Sequence, residues 1–107
     1  IDPKSNWAIN NIEKFPIEIN RAPYSELMKV PGFGRTYANR IIEARKFHKL
    51  TYDSLKAMKI STKRAKHFIL VNGVYKGFKF NDPNDLRALM STSDNSNYEQ
   101  LSMFDRS

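Results

Sequence analysis

Leu27-Met28-Lys29-Val30-Pro31-Gly32-Phe33-Gly34-Arg35-Thr36-Tyr37-Ala38-Asn39-Arg40-Ile41 is the stretch from which the fold can be read. Leu27, Met28 and Val30 share one helical face, and Pro31 ends that helix because its ring and missing N–H cannot continue it. Gly32 and Gly34 permit positive φ and leave bare backbone, while Phe33 between them is an apolar anchor for the core. A second helix resumes at about Arg35, where Tyr37 or Ala38, Ile41, Ile42 and Arg45 repeat at the three-and-four spacing of one buried stripe as far as about Phe47. The N–H groups of the connection and of the next helix's first turn then point outward, where the partial positive charge of a helix start holds an anion.

Moving outward toward the C-terminus, the pattern recurs. Thr51 is a good N-cap for a third helix carrying Leu55 and Met58, and Ser61 is the expected cap of a fourth with Ala65, Phe68 and Ile69. Leu27 and Val30 thus correspond to Leu55 and Met58, and Ala38, Ile41 and Ile42 to Ala65, Phe68 and Ile69, with a second turn, Lys59-Ile60-Ser61-Thr62, one residue shorter. The glycine pair is missing from that turn, which is instead crowded by Lys59, Ser61, Thr62, Lys63, Arg64 and Lys66.

Toward the N-terminus, Asp2-Pro3 pairs a cap residue with a proline at the first helical position, and a short helix over 3–14 is expected, stopped by Phe15-Pro16. Residues 16–20 alternate apolar and polar, and with no partner evident nearby they read as an extended lead-in and not as a sheet strand. Asn72-Gly73 is a turn dipeptide, followed by alternating aromatic and basic or glycine residues over 74–80. Asp82-Pro83 opens a further short helix through Leu86, Leu89 and Met90, and the polar run Ser91 to Gln100 is expected to be disordered. The predicted fold is all-α: a tandem, degenerate pair of helical hairpins built from four to five short helices. Residues 1–80 form the domain, and residues 81–107 a short helix and flexible tail.

A chain of 107 residues has room for one core. Its apolar runs are too short to span a bilayer, and no cysteine is present for disulfides, thiolate zinc sites or iron–sulfur ligation. His48 and His67 stand apart without a carboxylate cluster, so no metal site and no catalytic base is assigned. The formal charge is +7, unevenly spread: between Arg21 and Lys79, 14 basic residues face three acidic ones, leaving +11 on that segment and the remainder net acidic. A field of that sign attracts polyanions, nucleic acid ahead of a lipid surface or an acidic small molecule.

The segment from Leu27 to Ile41, with its apolar helix end, Pro-Gly-apolar-Gly, and the alanine and isoleucine that follow, resembles the helix-hairpin-helix DNA-binding motif. The resemblance implies a non-catalytic module that holds DNA phosphates without reading bases, through Gly32, Phe33, Gly34, Arg35, Thr36 and Arg40. The second turn then adds Lys59, Ser61, Thr62, Lys63, Arg64 and Lys66, as a pair of hairpins touching both strands across a groove, or it is the solvated face of a structural half-repeat. Two other readings of the same residues stand beside this one. Pro-Gly-Phe-Gly alone is also a tight connection between packed helices, and the basic face also suits a protein-interaction module that docks an acidic partner or a catalytic domain of the same parent.

A wider pattern adds Asp2-Pro3-Lys4, Trp7-Ala8, Phe15 to Ala22 and Lys63-Arg64-Ala65. Over roughly residues 1–73 it resembles the C-terminal region of bacterial radical SAM proteins classed as DNA modification or repair proteins. That resemblance implies a fragment of a cytoplasmic, nucleoid-associated enzyme whose iron–sulfur cluster and S-adenosylmethionine belong to a domain outside these residues, and whose partners include a uracil-DNA-glycosylase-like protein. The tail Gln100-Leu101-Ser102-Met103-Phe104 resembles peptides that dock on the bacterial sliding clamp, with Gln100, Leu101, Met103 and Phe104 as the contact residues; a tail folded back on the domain is the alternative. No membrane contact is expected, and the module is expected to be a monomer.

Overall fold

The computed structural model describes residues 1–79 and 82–93. Helix α1, Pro3–Asn10, begins as the sequence predicts, with proline in its first turn and the Asp2 carboxylate accepting from the Ser5 N–H at 3.1 Å. It stops early, because the Asn11 side chain turns back and donates to the Trp7 carbonyl at 2.9 Å. A single 3-10 turn, Ile12–Lys14, completes what the sequence read as one helix to residue 14. The Phe15–Pro16 peptide that follows is cis.

The lead-in is a strand after all. Residues Ile17–Glu18 form β1, paired in parallel with β2, Ile69–Leu70. The Ile17 N–H donates to Phe68 O and the Ile19 N–H to Leu70 O, both at 3.0 Å. The partner was invisible locally because it lies at the far end of both hairpins.

The same pairing corrects the fourth helix. Only a 3-10 turn, Ala65–His67, forms, and it is not capped by Ser61. Phe68-Ile69-Leu70-Val71 is aromatic and branched, a composition that suits a strand, and the Phe68 and Leu70 carbonyls are taken by β1 instead of by a continuing helix.

Between the strands lie α2, Tyr24–Leu27; α3, Arg35–Ala44; and α4, Tyr52–Ala57. Thr51 caps α4 in a reciprocal box: its Oγ1 accepts from the Ser54 N–H at 3.1 Å, and the Ser54 Oγ accepts from the Thr51 N–H at 3.0 Å. The connection from α3 to α4 is pinned at both ends. Arg45, the last residue of the stripe read from the sequence, donates to the Ile19 and Ala22 carbonyls at 2.8 and 2.7 Å. Asn20 and Leu50 exchange two hydrogen bonds, at 3.1 and 2.8 Å.

After β2, Asn72 and Gly73 both take positive φ, 52° and 80°, in a two-residue turn closed by Val71 and Val74. The Glu18 carboxylate accepts from both turn N–H groups, at 2.9 and 2.8 Å. Helix α5, Pro83–Ser93, then lies on α1, with Arg87 donating to Asn6 and Asn10. Its Leu86 and Met90 join the same buried cluster as Ile9, Ile19, Leu27, Ile41, Leu55 and Phe68. With five α-helices and one minimal strand pair among the described residues, the fold is all-α.

Candidate nucleic-acid interface

The first hairpin runs from Val30 to Arg35, and its anchor is as predicted: Phe33 is 2% exposed and meets the Tyr37 ring edge-on at 6.3 Å. The two glycines, however, serve different ends. Gly32 has φ +93°, and a Cβ there would lie 3.3 Å from Arg64 Cβ and 3.4 Å from the Ala65 backbone nitrogen. It is glycine for the sake of the fold, where the two hairpins touch. Gly34 is extended, with φ −128° and ψ −169°, and a Cβ there would meet nothing within 4 Å. The positive φ expected at Gly34 is therefore absent, and its bareness answers to no neighbour among the described residues.

Gly34 is also the N-cap of α3, and it has no side chain with which to cap it. Helices α1 and α4 are both closed by a side-chain oxygen; α3 starts open. A cavity of about 490 Å³ lies over that start, lined by Gly32, Gly34, Arg35, Thr36 and Tyr37. The first backbone N–H groups of α3 face it with the positive end of a ten-residue helix dipole behind them. Arg35 and Thr36 are exposed at its edge. Chemically this is an acceptor for an anion.

Helix α1 braces both turns, a role the sequence did not disclose. Lys4 donates to the Phe33 carbonyl, and burial there lowers the Lys4 pKa, with Asp2 opposing and Arg64 adding to the effect. Arg64 donates to the Asp2 carboxylate at 2.5 Å and to the Ser5 hydroxyl at 2.7 Å. Although burial would raise it, hydrogen bonds from Ser5 and the Arg64 guanidinium hold the Asp2 carboxyl well below the usual carboxylate range. Arg64, assigned from sequence to phosphate contact, thus has its guanidinium turned to α1.

The second turn keeps the form of the first without its glycines. Lys59, at φ 62°, stands where Gly32 does, and Ile60, 4% exposed, stands where Phe33 does. Lys59, Ser61, Thr62 and Lys66 line one basin, together with Tyr52, Lys56 and Lys76. Lys63 is exposed on the turn. Arg40, on α3, donates to the Met58 carbonyl at 3.2 Å and ties the first hairpin's helix to the second turn. Of the basin's residues, Tyr52 and Lys56 were legible in principle, one turn apart on the same face of α4; Lys76 carried no local signal.

His67 is buried, its Nδ1 accepts from the Phe78 N–H at 3.3 Å, and burial with Lys66 nearby pushes its pKa down to about 4. Among the described residues no three His, Asp or Glu side chains converge as a metal site, and no helix is long and apolar enough to cross a membrane. Gln100, Leu101, Met103 and Phe104 lie outside the described residues.

The family model of the helix-hairpin-helix motif matches residues 13–67, from the 3-10 turn before Pro16 to the one that ends at His67. No curated protein and no solved structure matches the chain. The match takes in both turns, the anchors Phe33 and Ile60, and more than half of the sequence, and on it the chain belongs to the helix-hairpin-helix family.

Proposed function

We propose that the chain is a sequence-tolerant DNA-binding module that holds phosphates of the backbone at the open start of α3. Helix-hairpin-helix units are non-catalytic and contact nucleic acid. The observation that carries the reading is Gly34: an uncapped helix start under open space, beside exposed Arg35 and Thr36. Backbone N–H groups aimed at phosphate oxygens fix a duplex in place but read no bases. Amide chemical-shift mapping with two duplexes of unrelated sequence tests this. Both should move the Gly34, Arg35, Thr36 and Tyr37 amides alike, whereas shifts that depend on sequence, or that spare these four, contradict it.

A second reading, docking of an acidic protein surface, is favoured by one feature. Phe47 is 82% exposed between Lys46 and His48 on the pinned α3–α4 connection. In that case Phe47→Ala, and not a change at Gly34, abolishes partner binding.

The wider setting belongs to the same proposal. The resemblance of residues 1–73 supports a parent radical SAM enzyme of DNA modification or repair in the bacterial nucleoid, with this module as its monomeric DNA grip and a uracil-DNA-glycosylase-like protein as a partner. A cluster needs thiolates, and the 107 residues contain none, so iron–sulfur and S-adenosylmethionine chemistry has no ligands here. Gln100 to Phe104 would bring the parent to the sliding clamp; loss of clamp binding on Leu101→Ala and Phe104→Ala substitution checks that.

A further inference from the structure

A cleft of about 500 Å³ opens where three parts of the chain meet: the joint between the 3-10 turn Ile12–Lys14 and β1, the loop that follows the Asn72–Gly73 turn, and the start of α5. Its walls are mostly apolar, with Phe15, Pro16, His67, Tyr75, Phe78 and Leu86 among them. The volume falls within the roughly 300–1,000 Å³ of small-molecule sites. Tyr75, Phe78 and Leu86 lie beyond residue 67, where the matched motif ends, so residues outside the shared motif complete the cleft.

The loop is locked with one ring left outside. The Phe78 N–H donates to Nδ1 of buried His67 at 3.3 Å, and the Phe78 carbonyl accepts from the Tyr75 hydroxyl at 2.9 Å. Gly77 has to be glycine for this closure, because a Cβ there would lie 2.8 Å from His67 Cα. The Phe78 side chain is nonetheless 54% exposed, tilted against the His67 ring with 5.4 Å between centroids. A half-exposed ring on a backbone fixed at both polar groups is a ready stacking surface, since little ordering remains to be done on binding.

Cations stand beside that ring. Lys79 lines the cleft, and Lys66 Nζ sits 5.6 Å from the Phe78 centroid. Lys66 also belongs to the wall of the basin at the second turn, so one side chain joins the cleft to the basic face of the hairpins. The acid in the wall, Asp82, turns its carboxylate to the Asn84 N–H, at 2.7 Å.

We infer that this cleft takes an unpaired nucleobase of the bound strand, stacked on Phe78 with its phosphate beside Lys66 and Lys79. A nucleotide offers both the flat face that the rings match and the negative charge that the lysines match. An apolar side chain of a protein partner would satisfy the rings alone. Stacking on an aromatic ring accepts any base, in keeping with a module that grips the backbone without reading sequence. The ligand class rests on the reading of the α3 start as a phosphate site, but the residues are separate.

The test compares a fully paired duplex with the same duplex carrying one extra, bulged thymine, whose base is already unpaired and costs little to insert. The unsubstituted protein should prefer the bulged form by at least about fivefold, the low end of what one stacked base supplies. Phe78→Ala, its fold checked by circular dichroism and melting, should bind both forms alike, and Phe78→Trp, which restores a stacking face, should keep the preference. Thymidine 5′-monophosphate should shift the Tyr75, Phe78 and Lys79 amides, and inorganic phosphate should leave them unmoved. Equal affinity of the unsubstituted protein for the two duplexes, or a preference that survives in Phe78→Ala, overturns the inference. So do shifts of these amides with N-acetylphenylalaninamide but none with the nucleotide, the result expected of a protein-docking cleft. Gly34→Glu keeps the two readings apart: if it leaves both affinities intact while the bulge preference persists, the α3 reading fails and the cleft stands.

Discussion

Two glycines two residues apart carry opposite demands, and substitution separates them. Alanine at Gly32 is forced to φ +93° with its Cβ against Arg64, and strain of this kind costs roughly 1–3 kcal/mol. Gly34→Ala sits in ordinary extended backbone with open space around it. Urea unfolding should show the first variant clearly destabilised and the second within about 1 kcal/mol of the parent, a little cap preference being all it loses. Similar losses at both positions would contradict the geometry.

His67 gives the molecule a pH dependence of definite sign. Folded, it titrates near 4; unfolded, near 6.5. Between those values the unfolded chain binds a proton that the folded chain does not, so stability falls as pH drops from about 6.5 to 4 and levels off below. The loss is at most roughly 3.5 kcal/mol, since each unit of pKa difference is worth about 1.4 kcal/mol. The depressed carboxyls of Asp2 and Glu18 act lower, withdrawing stability as pH falls below their ordinary range, near 4. Urea midpoints at pH 7 and pH 5 check the first effect, and His67→Gln should flatten that interval. A midpoint equal at both pH values in the unsubstituted protein contradicts the buried, neutral imidazole.

Among the elements, α4 depends most on its cap. It is only six residues long and is closed by the Thr51–Ser54 box, so Thr51→Ala should cost about 1 kcal/mol and expose the Leu55 amide to faster hydrogen exchange. Unchanged exchange would mean that packing alone holds the helix. This cap was legible because capping is a matter of adjacent residues. So were Pro31, the stripe Ala38–Ile41–Ile42 and the anchor Phe33, each set by local backbone chemistry. What escaped was set at a distance. Ile17 and Ile69 meet across both hairpins, and that pairing turns the expected fourth helix into a 3-10 turn and a strand. Lys59 takes a left-handed conformation that nothing in its side chain announces. Arg64 counts as one more positive charge in the sequence, and only the fold places Asp2 and Ser5 beside it. The candidate site followed the same division: Gly34, Arg35 and Thr36 were readable from the motif, whereas Lys4 and Lys76 reach their places through tertiary packing.

At the scale of the molecule, α1 joins the parts. It lies against α5 on one side, and through Lys4, Asp2 and Ser5 it holds the two turns to each other. Helix α5 is thus within the cooperative unit, since Leu86 and Met90 are buried with Ala8 and Ile9. Leu86→Ala should lower stability by about 2–4 kcal/mol in a single unfolding transition. A separate early transition that involves α5 alone would show it to be an appendage.

In the proposed function the open start of α3 grips the DNA backbone. Its most direct test is a fluorescence-anisotropy titration of the protein and of Gly34→Glu with a random-sequence duplex across a salt series. Glutamate at this position meets no steric obstacle, so circular dichroism and melting should be unchanged while its carboxylate sits where a phosphate would. Salt-sensitive binding by the unsubstituted protein and at least a tenfold loss, about 1.4 kcal/mol, in the variant are expected. Equal affinity in the two folded proteins would contradict it.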